Sequence, residues 1–205
     1  MGITSRKKRP LNREIPYQHD TRLIIIATEG RKTEKQYFES ELFGNVRVHV
    51  KVLESIDNKS APNHVLRRLK DFATQYELQS EDQLWLMVDR DNWPDKLLSD
   101  ICSQAIRGKH KALLAISNPC FELWLYLHHA DWTHGKVSSK MIETHLRKLL
   151  RGYTKTRLRI EQFKGSMETA VNRAASMDSE PDRRWPANPG THVYKVVRAI
   201  HSLQG

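Results

Sequence analysis

Strand-like and helix-like segments alternate four times over the first 130 residues, and this alternation most constrains the fold. The strand-like segments are apolar runs at residues 21–28, 46–53, 83–88 and 112–117. Each is followed by a segment with helical spacing, and the predicted helix starts are Thr33, which we expect to cap its helix, Pro62, Pro94 and Pro119. Such alternation is typical of proteins whose parallel strands lie between layers of helices. The sequence therefore predicts an α/β sandwich with a mostly parallel central sheet flanked by helices.

The chain divides into three segments by composition. Residues 1–20 are basic and lack a hydrophobic period, which is typical of a tail. Residues 21–130 form the predicted sandwich core, and residues 131–205 form a basic, mainly helical lobe that we expect to pack on it. The predicted helices of this lobe are Ser138–Arg151, Ser166–Met177 and His192–Leu203.

Positive charge exceeds negative charge in the chain as a whole. There are 34 Lys and Arg residues against 24 Asp and Glu, and residues 136–164 alone hold nine Lys or Arg and two acids. A basic surface favours a polyanionic partner, because each neutralised phosphate releases a counterion. The surplus predicts a nucleic-acid partner; a basic protein without such a partner is the alternative.

Cysteine usage and hydropathy predict a cytoplasmic protein. Cys102 and Cys120 lie in apolar contexts, at a spacing that fits neither a metal site nor a disulfide framework. We find no apolar run of the roughly 18 residues that a membrane span needs, and no apolar signal core near the N-terminus. The expectation is reduced core thiols and no membrane contact.

Carboxylates follow three of the predicted strands. Glu29 follows the first, Asp89 and Asp91 close the third in "LWLMVDRDNW", and Glu122 follows the fourth. The carboxyl ends of parallel strands meet at one edge of a sheet, where ligands gather. Oxygen-only ligands suit Mg²⁺ or Mn²⁺, which polarise a phosphoryl oxygen and lower the pKa of a bound water. The alternative is that these acids cap turns and helices.

Three blocks, "IIIATEGRKTEKQYF", "LMVDRDNW" and "AISNPCFELWLYLH", resemble the ordered motifs of the RloB family of prokaryotic defence-associated proteins. The resemblance extends over roughly residues 20–200 and includes the later "RGYTKT" and "GTHVYKVV". It implies a toprim-like core whose carboxylates bind magnesium. It also implies a nuclease role in phage defence, often beside an AAA-type ATPase.

The same resemblance implies roles for individual acids. Glu29 matches the catalytic glutamate of toprim domains, Asp89 and Asp91 match the metal positions, and Glu122 is an additional acidic ligand. Glu34 lies on the first helix and either joins the site or pairs with a basic neighbour.

Basic and aromatic residues beside the predicted helix starts and in the basic lobe are candidates for nucleic-acid contacts. Backbone N–H groups at a helix start attract phosphate, and an aromatic ring beside cations can stack on a splayed base. The candidates are Arg31, Lys32, Tyr153, Lys155, Arg157, His192 and Lys195. Solvated helix ends are the competing interpretation. His128, His129 and His134 lack a cysteine or acid that would complete a zinc site.

Together these features predict a magnesium-dependent endonuclease or phosphodiesterase, with RNA, possibly tRNA, favoured over DNA. If the RNA 2′-hydroxyl is the attacking group, the metal is dispensable for that step. The alternative function is a non-catalytic basic adaptor that binds nucleic acid or a partner ATPase. A P-loop NTPase is disfavoured, because no G-x-x-x-x-G-K-[ST] loop occurs.

Overall fold

The computed structural model describes residues 21–204 except residues 31, 45–46, 55–60, 77 and 91–92. Its strands are β1 (Arg22–Thr28), β2 (Val48–Leu53), β3 (Gln83–Asp89), β4 (Leu113–Asn118) and β5 (Gly190–Thr191). Its helices are α1 (Thr33–Phe38), α2 (Pro62–Gln75), α3 (Asp95–Arg107), α4 (Glu122–Leu127), α5 (Ser139–Leu149), α6 (Met167–Met177) and α7 (Val193–Gln204). The basic tail predicted for residues 1–20 lies outside the described residues.

The five strands form one sheet in the order β2-β1-β3-β4-β5. The first four run parallel, whereas β5 runs antiparallel to β4, with Ser117 facing Thr191. The predicted α/β architecture with a mostly parallel, helix-flanked sheet is therefore confirmed, and it agrees with a toprim-like sandwich. The short strand β5 is an addition, since the sequence predicted only the first four strands.

The sheet is buried on both faces, because its side chains alternate between two apolar clusters. In β1, Leu23, Ile25 and Ala27 belong to the cluster covered by α2 and α3. Ile24 and Ile26 belong to the other cluster, to which α1, α4, α5, α6 and α7 contribute. Alternation of this kind explains the continuous apolar run "LIIIA", since a strand between two helix layers has no wet face.

Most predicted helices lie within a few residues of the observed ones, but the prediction for Thr33 is wrong. Lys32, not Thr33, is the residue that precedes α1, and it makes no side-chain capping bond. The Thr33 hydroxyl instead donates to the carbonyl oxygen of Lys155 at 2.8 Å. A contact between residues 122 positions apart thus replaced the local cap that the sequence suggested. The helix predicted to start at Pro119 begins at Glu122.

The C-terminal lobe packs directly on the sandwich. Phe163, Val197 and Ile200 are fully buried in the same cluster as Phe38 and Trp124. Lobe and core therefore share one apolar interior, while the boundary at residue 130 stays a prediction. None of the helices in the described part of the chain is long and apolar enough to cross a membrane.

Candidate active site: an acidic cleft

A cleft of about 520 Å³ opens at the carboxyl edge of the sheet. Its charged lining residues are Glu29, Lys32, Glu34, Asp89, Glu122 and Lys155. Four carboxylates thus face two lysines in one depression, which we call the acidic cleft.

Strand order and register bring these acids together. β1 and β3 are neighbours, with Thr28 facing Met87, so the residues that follow the two strands emerge side by side. Asp89 in turn faces Ser117 of β4, and Glu122 begins the helix after that strand. The predicted meeting of Glu29, Asp89 and Glu122 at one edge is therefore observed, while their chemical roles stay predictions. Asp91 lies outside the described residues.

Glu29 is held by two elements that flank β1. The indole of Trp93, just before α3, donates from Nε1 to Glu29 Oε1 at 3.0 Å. Arg68 of α2 donates from Nη2 to the carbonyl oxygen of Thr28 at 2.6 Å. Burial lowers the pKa of Arg68, and the nearby Glu29 carboxylate partly offsets this effect. Two segments distant in sequence, α2 and the residues just before α3, therefore contact the end of β1.

Glu122 is a buried carboxylate with a lysine counter-ion. Lys155 Nζ lies 2.8 Å from Glu122 Oε1 and 3.5 Å from Glu143 Oε2. The side chain of Glu122 is only 6% exposed, whereas that of Lys155 is 51% exposed. Burial alone would lower the pKa of Lys155, but Glu122 outweighs this effect and the pKa is raised. Lys155 is therefore firmly charged and neutralises the deepest carboxylate of the cleft.

Glu34 is buried against Gly30. A side chain at position 30 would overlap the Glu34 carboxylate, so glycine there permits this close approach. Burial raises the pKa of Glu34 from 4.5 to about 7, with a further contribution from the nearby charge of Glu122. Backbone hydrogen bonds, including one to Gly30, and Lys155 act in the opposite direction. Glu34 is thus a carboxyl group that changes its protonation state near neutral pH.

The loop that carries Lys155 is held against α1 by hydrogen bonds. Besides the bond from Thr33, Gln36 Nε2 donates to the carbonyl oxygen of Thr156 at 3.3 Å. The Leu158 backbone N–H donates to Gln36 Oε1 at 2.9 Å. We call residues 153–158 the lysine loop. It fixes Lys155 at the cleft although that residue comes from the C-terminal lobe.

The residues predicted to contact nucleic acid divide into two groups. Lys32 and Lys155 line the acidic cleft, and Arg157 is exposed on the lysine loop. Arg31 lies outside the described residues. These positions are compatible with phosphate contacts, and the contacts themselves stay predictions.

The predicted roles of Tyr153, His192 and Lys195 disagree with their positions. The Tyr153 ring is 6% exposed, so it offers no free face to a base, and its hydroxyl lies 3.5 Å from Glu122 Oε1. His192 is buried with Nε2 3.1 Å from Asp178 Oδ2, and burial lowers its pKa to about 4. Lys195 extends toward the same aspartate, 4.0 Å away. Neither His192 nor Lys195 lines the acidic cleft, and their contacts with nucleic acid stay predictions.

The cleft offers a metal ion only a small number of protein ligands. Among the described residues no three His, Cys, Asp or Glu side chains are arranged to hold a metal ion. Mg²⁺ needs only one or two carboxylates, since water and substrate phosphate complete its shell, so Glu29 and Asp89 fit that mode. The histidine cluster does not act as a zinc site in this arrangement, because both ring nitrogens of His128 are bonded, to Tyr37 and Ser166.

An exposed basic surface adjoins the acidic cleft. All nine Lys and Arg residues between positions 136 and 164 are exposed. This basic surface consists of Lys136, Lys140, Arg147, Lys148, Arg151, Lys155, Arg157, Arg159 and Lys164. Lys155 belongs to both features, since it is exposed and also lines the acidic cleft.

Sequence analysis missed Arg68 and Trp93 and left Glu34 undecided. Arg68 lies on an ordinary amphipathic helix, and no local pattern indicates that its side chain returns to the end of β1. Trp93 is not among the candidate residues that the sequence predicted.

The titration of Glu34 predicts a specific pH dependence of stability. Because the folded pKa of about 7 exceeds the ordinary value of 4.5, the folded chain keeps a proton that the unfolded chain releases. The resulting stabilisation is complete below pH 4.5 and is lost as the pH rises to about 7. Glu34→Gln should therefore reduce the fall in unfolding free energy between about pH 5 and pH 8, by up to about 3 kcal/mol.

Urea unfolding of both proteins at each pH measures this difference. Glu54→Gln, at an exposed carboxylate that follows β2 and pairs with Lys35, is the matched control and should behave as the wild type. Equal pH profiles of wild type and Glu34→Gln would contradict the raised pKa.

Comparison with known proteins identifies the family of the chain. No curated protein and no solved structure matches it. The family model described as RloB-like protein matches residues 24–200, which include most of β1, all of β2 to β5 and every charged residue of the acidic cleft. The chain therefore belongs to the RloB-like protein family.

Proposed function

We propose that the protein is a metal-dependent nuclease that cleaves phosphodiester bonds of RNA, with DNA as the second candidate substrate. The observation that carries this proposal is the acidic cleft, in which four carboxylates at the carboxyl edge of the sheet adjoin a basic surface of nine exposed cations. Carboxylates that gather at one site bind a cation, and cations that line a surface bind a phosphate backbone. The two features together match hydrolysis of a polyanion.

In this proposal Glu29 and Asp89 hold Mg²⁺ or Mn²⁺, and by motif Asp91 joins them. When bound, the ion polarises a phosphoryl oxygen and lowers the pKa of a water. Lys155 already neutralises Glu122, so we assign Glu122 to the support of Lys155 rather than to the ion in this state. Glu29 and Asp89 are then the cleft acids that we assign to the ion.

The other cleft residues supply binding and proton transfer. Lys32 and Lys155 hold phosphate oxygens on either side of the scissile bond, and the basic surface carries the adjoining strand. Glu34 is better suited than Glu29 to move a proton, because its pKa of about 7 keeps both protonation states populated at neutral pH. Glu29 is then left to bind the cation.

Family membership supports the biological setting of the proposal. The resemblance of the chain to RloB proteins implies action in phage defence inside the cell, often beside an AAA-type ATPase. The described structure contains two buried free thiols. Free thiols agree with the reducing interior of a cell. The proposal names an AAA-type ATPase as a class of partner and assigns it no contact surface.

A cleavage assay tests the function. Purified protein is incubated with tRNA and with supercoiled plasmid DNA, in Mg²⁺, in Mn²⁺ and in EDTA. We expect cutting in either metal, no cutting in EDTA, and faster cutting of tRNA. Nucleic acid that is bound but left intact in both metals would contradict the nuclease and favour the basic adaptor, whose only requirement is the basic surface.

A further inference from the structure

The hydrogen bond from Trp93 to Glu29 links two segments 64 residues apart in sequence. Trp93 follows β3 and is half-buried, and its indole N–H points at Oε1 of the carboxylate 3.0 Å away. A tryptophan at the end of a strand can pack on the core without any polar partner. Here its single donor is directed at an acid of the cleft.

The turn that carries Trp93 is fixed to the neighbouring elements. The backbone N–H of Arg90 donates to the carbonyl oxygens of Ser117, at 2.9 Å, and Pro119, at 3.2 Å. The Arg90 side chain pairs with Asp95 at 2.6 Å, at the first turn of α3. Trp93 N–H donates back to the Arg90 carbonyl oxygen at 3.3 Å. The indole is therefore presented from a turn tied to β4 and to α3.

An indole donor affects a carboxylate differently from a lysine. Trp Nε1–H is a neutral donor, so it orients one oxygen and leaves the negative charge available. Lys155 supplies a full positive charge to Glu122 and competes there with any other cation. Hydrogen-bond partners of metal-binding side chains orient those side chains. Loss of such a partner typically lowers metal affinity by about 10- to 100-fold.

We infer that Trp93 is a positioning residue, which orients the Glu29 carboxylate for a divalent cation without neutralising it. This inference rests on the proposed function, because it requires that Glu29 bind the cation. It adds a residue that acts through Glu29 and not on the substrate.

Replacement of Trp93 by phenylalanine removes the donor and keeps an apolar ring. We expect Trp93→Phe to bind Mn²⁺ about 10-fold more weakly than the wild type, measured by electron paramagnetic resonance of the free ion. The matched control is Trp85→Phe, which loses an indole bond of similar length, 3.1 Å to Gln83 Oε1, at the amino end of β3. Its Mn²⁺ affinity should equal that of the wild type.

Tryptophan fluorescence gives a second readout that needs no activity. Addition of Mn²⁺ should change the emission of wild type and of Trp85→Phe, because the indole of Trp93 contacts a proposed ligand of the ion. The same addition should leave the emission of Trp93→Phe unchanged. Thermal unfolding of each variant verifies that it is folded.

The outcomes separate this inference from the proposed function. Wild-type protein that binds no Mn²⁺ overturns the proposed site and the inference with it. Trp93→Phe with wild-type affinity overturns only the inference. If Trp93→Phe does not fold, the wild-type protein provides the test. Binding of Mn²⁺ to the wild type without any change in tryptophan emission would also overturn the inference about Trp93.

Discussion

Asp89→Asn and Glu29→Gln are each expected to slow cleavage by about 100-fold or more, a loss comparable to that of one preorganised electrostatic contact with a transition state. Both changes keep the size of the side chain and remove its charge. In the cleft the two acids lie at the carboxyl ends of adjacent parallel strands. Loss of either charge therefore weakens the cation site directly. The rate is measured on tRNA at saturating Mg²⁺.

Glu54→Gln provides the control for these two variants. Glu54 follows β2 at the same edge of the sheet as Glu29 follows β1, but it pairs with Lys35 at 2.7 Å and does not line the cleft. It should cut at the wild-type rate. A wild-type rate in Asp89→Asn, with Mn²⁺ still bound, would show that the cleft is not the cutting site.

Lys155→Met is expected to lower the free energy of unfolding by about 1–2 kcal/mol and to impair cleavage. Methionine keeps the apolar stem and leaves Glu122 without its cation. Loss of one partner from a fully buried ion pair costs about 3–5 kcal/mol, and we reduce this figure because Lys155 is half exposed. Urea unfolding at neutral pH measures the change.

A second substitution separates the ion pair from general effects of charge. Glu122→Gln introduced into Lys155→Met removes the unpaired buried carboxylate, and most of the lost stability should return. Lys148→Met, at an exposed lysine of α5, should alter neither stability nor the cleavage step and should weaken nucleic-acid binding slightly. A double variant no more stable than Lys155→Met alone would contradict the role assigned to the pair.

The sequence predicted those parts of the cleft that depend on topology. Glu29 and Asp89 follow buried apolar strands, and neighbouring parallel strands bring their carboxyl ends to one edge whatever the helices do. The predicted meeting of Glu29 and Asp89 required only that the strands be parallel and that β1 and β3 be neighbours. Glu122 was predicted for the same reason, since it comes shortly after β4.

The incorrect predictions depend on contacts between distant segments. The cap assigned to Thr33 gave way to a bond with Lys155, and the stacking role of Tyr153 gave way to burial beside Glu122. A local sequence pattern can indicate a helix end or an aromatic residue beside cations. It does not indicate which residue from a distant segment will contact them. The partners of both residues come from segments more than 30 positions away, so no window of sequence contains the information.

The lysine loop has a consequence for incomplete chains. A polypeptide that stops anywhere between residues 130 and 152 contains all four acids of the cleft but neither Lys155 nor the loop that covers α1. Its Glu122 would lack the Lys155 counter-ion, and α1 would lose three tertiary hydrogen bonds. The cleft therefore depends on two distant parts of the chain, and a polypeptide that ends in this interval carries its acids without the cation that pairs with Glu122.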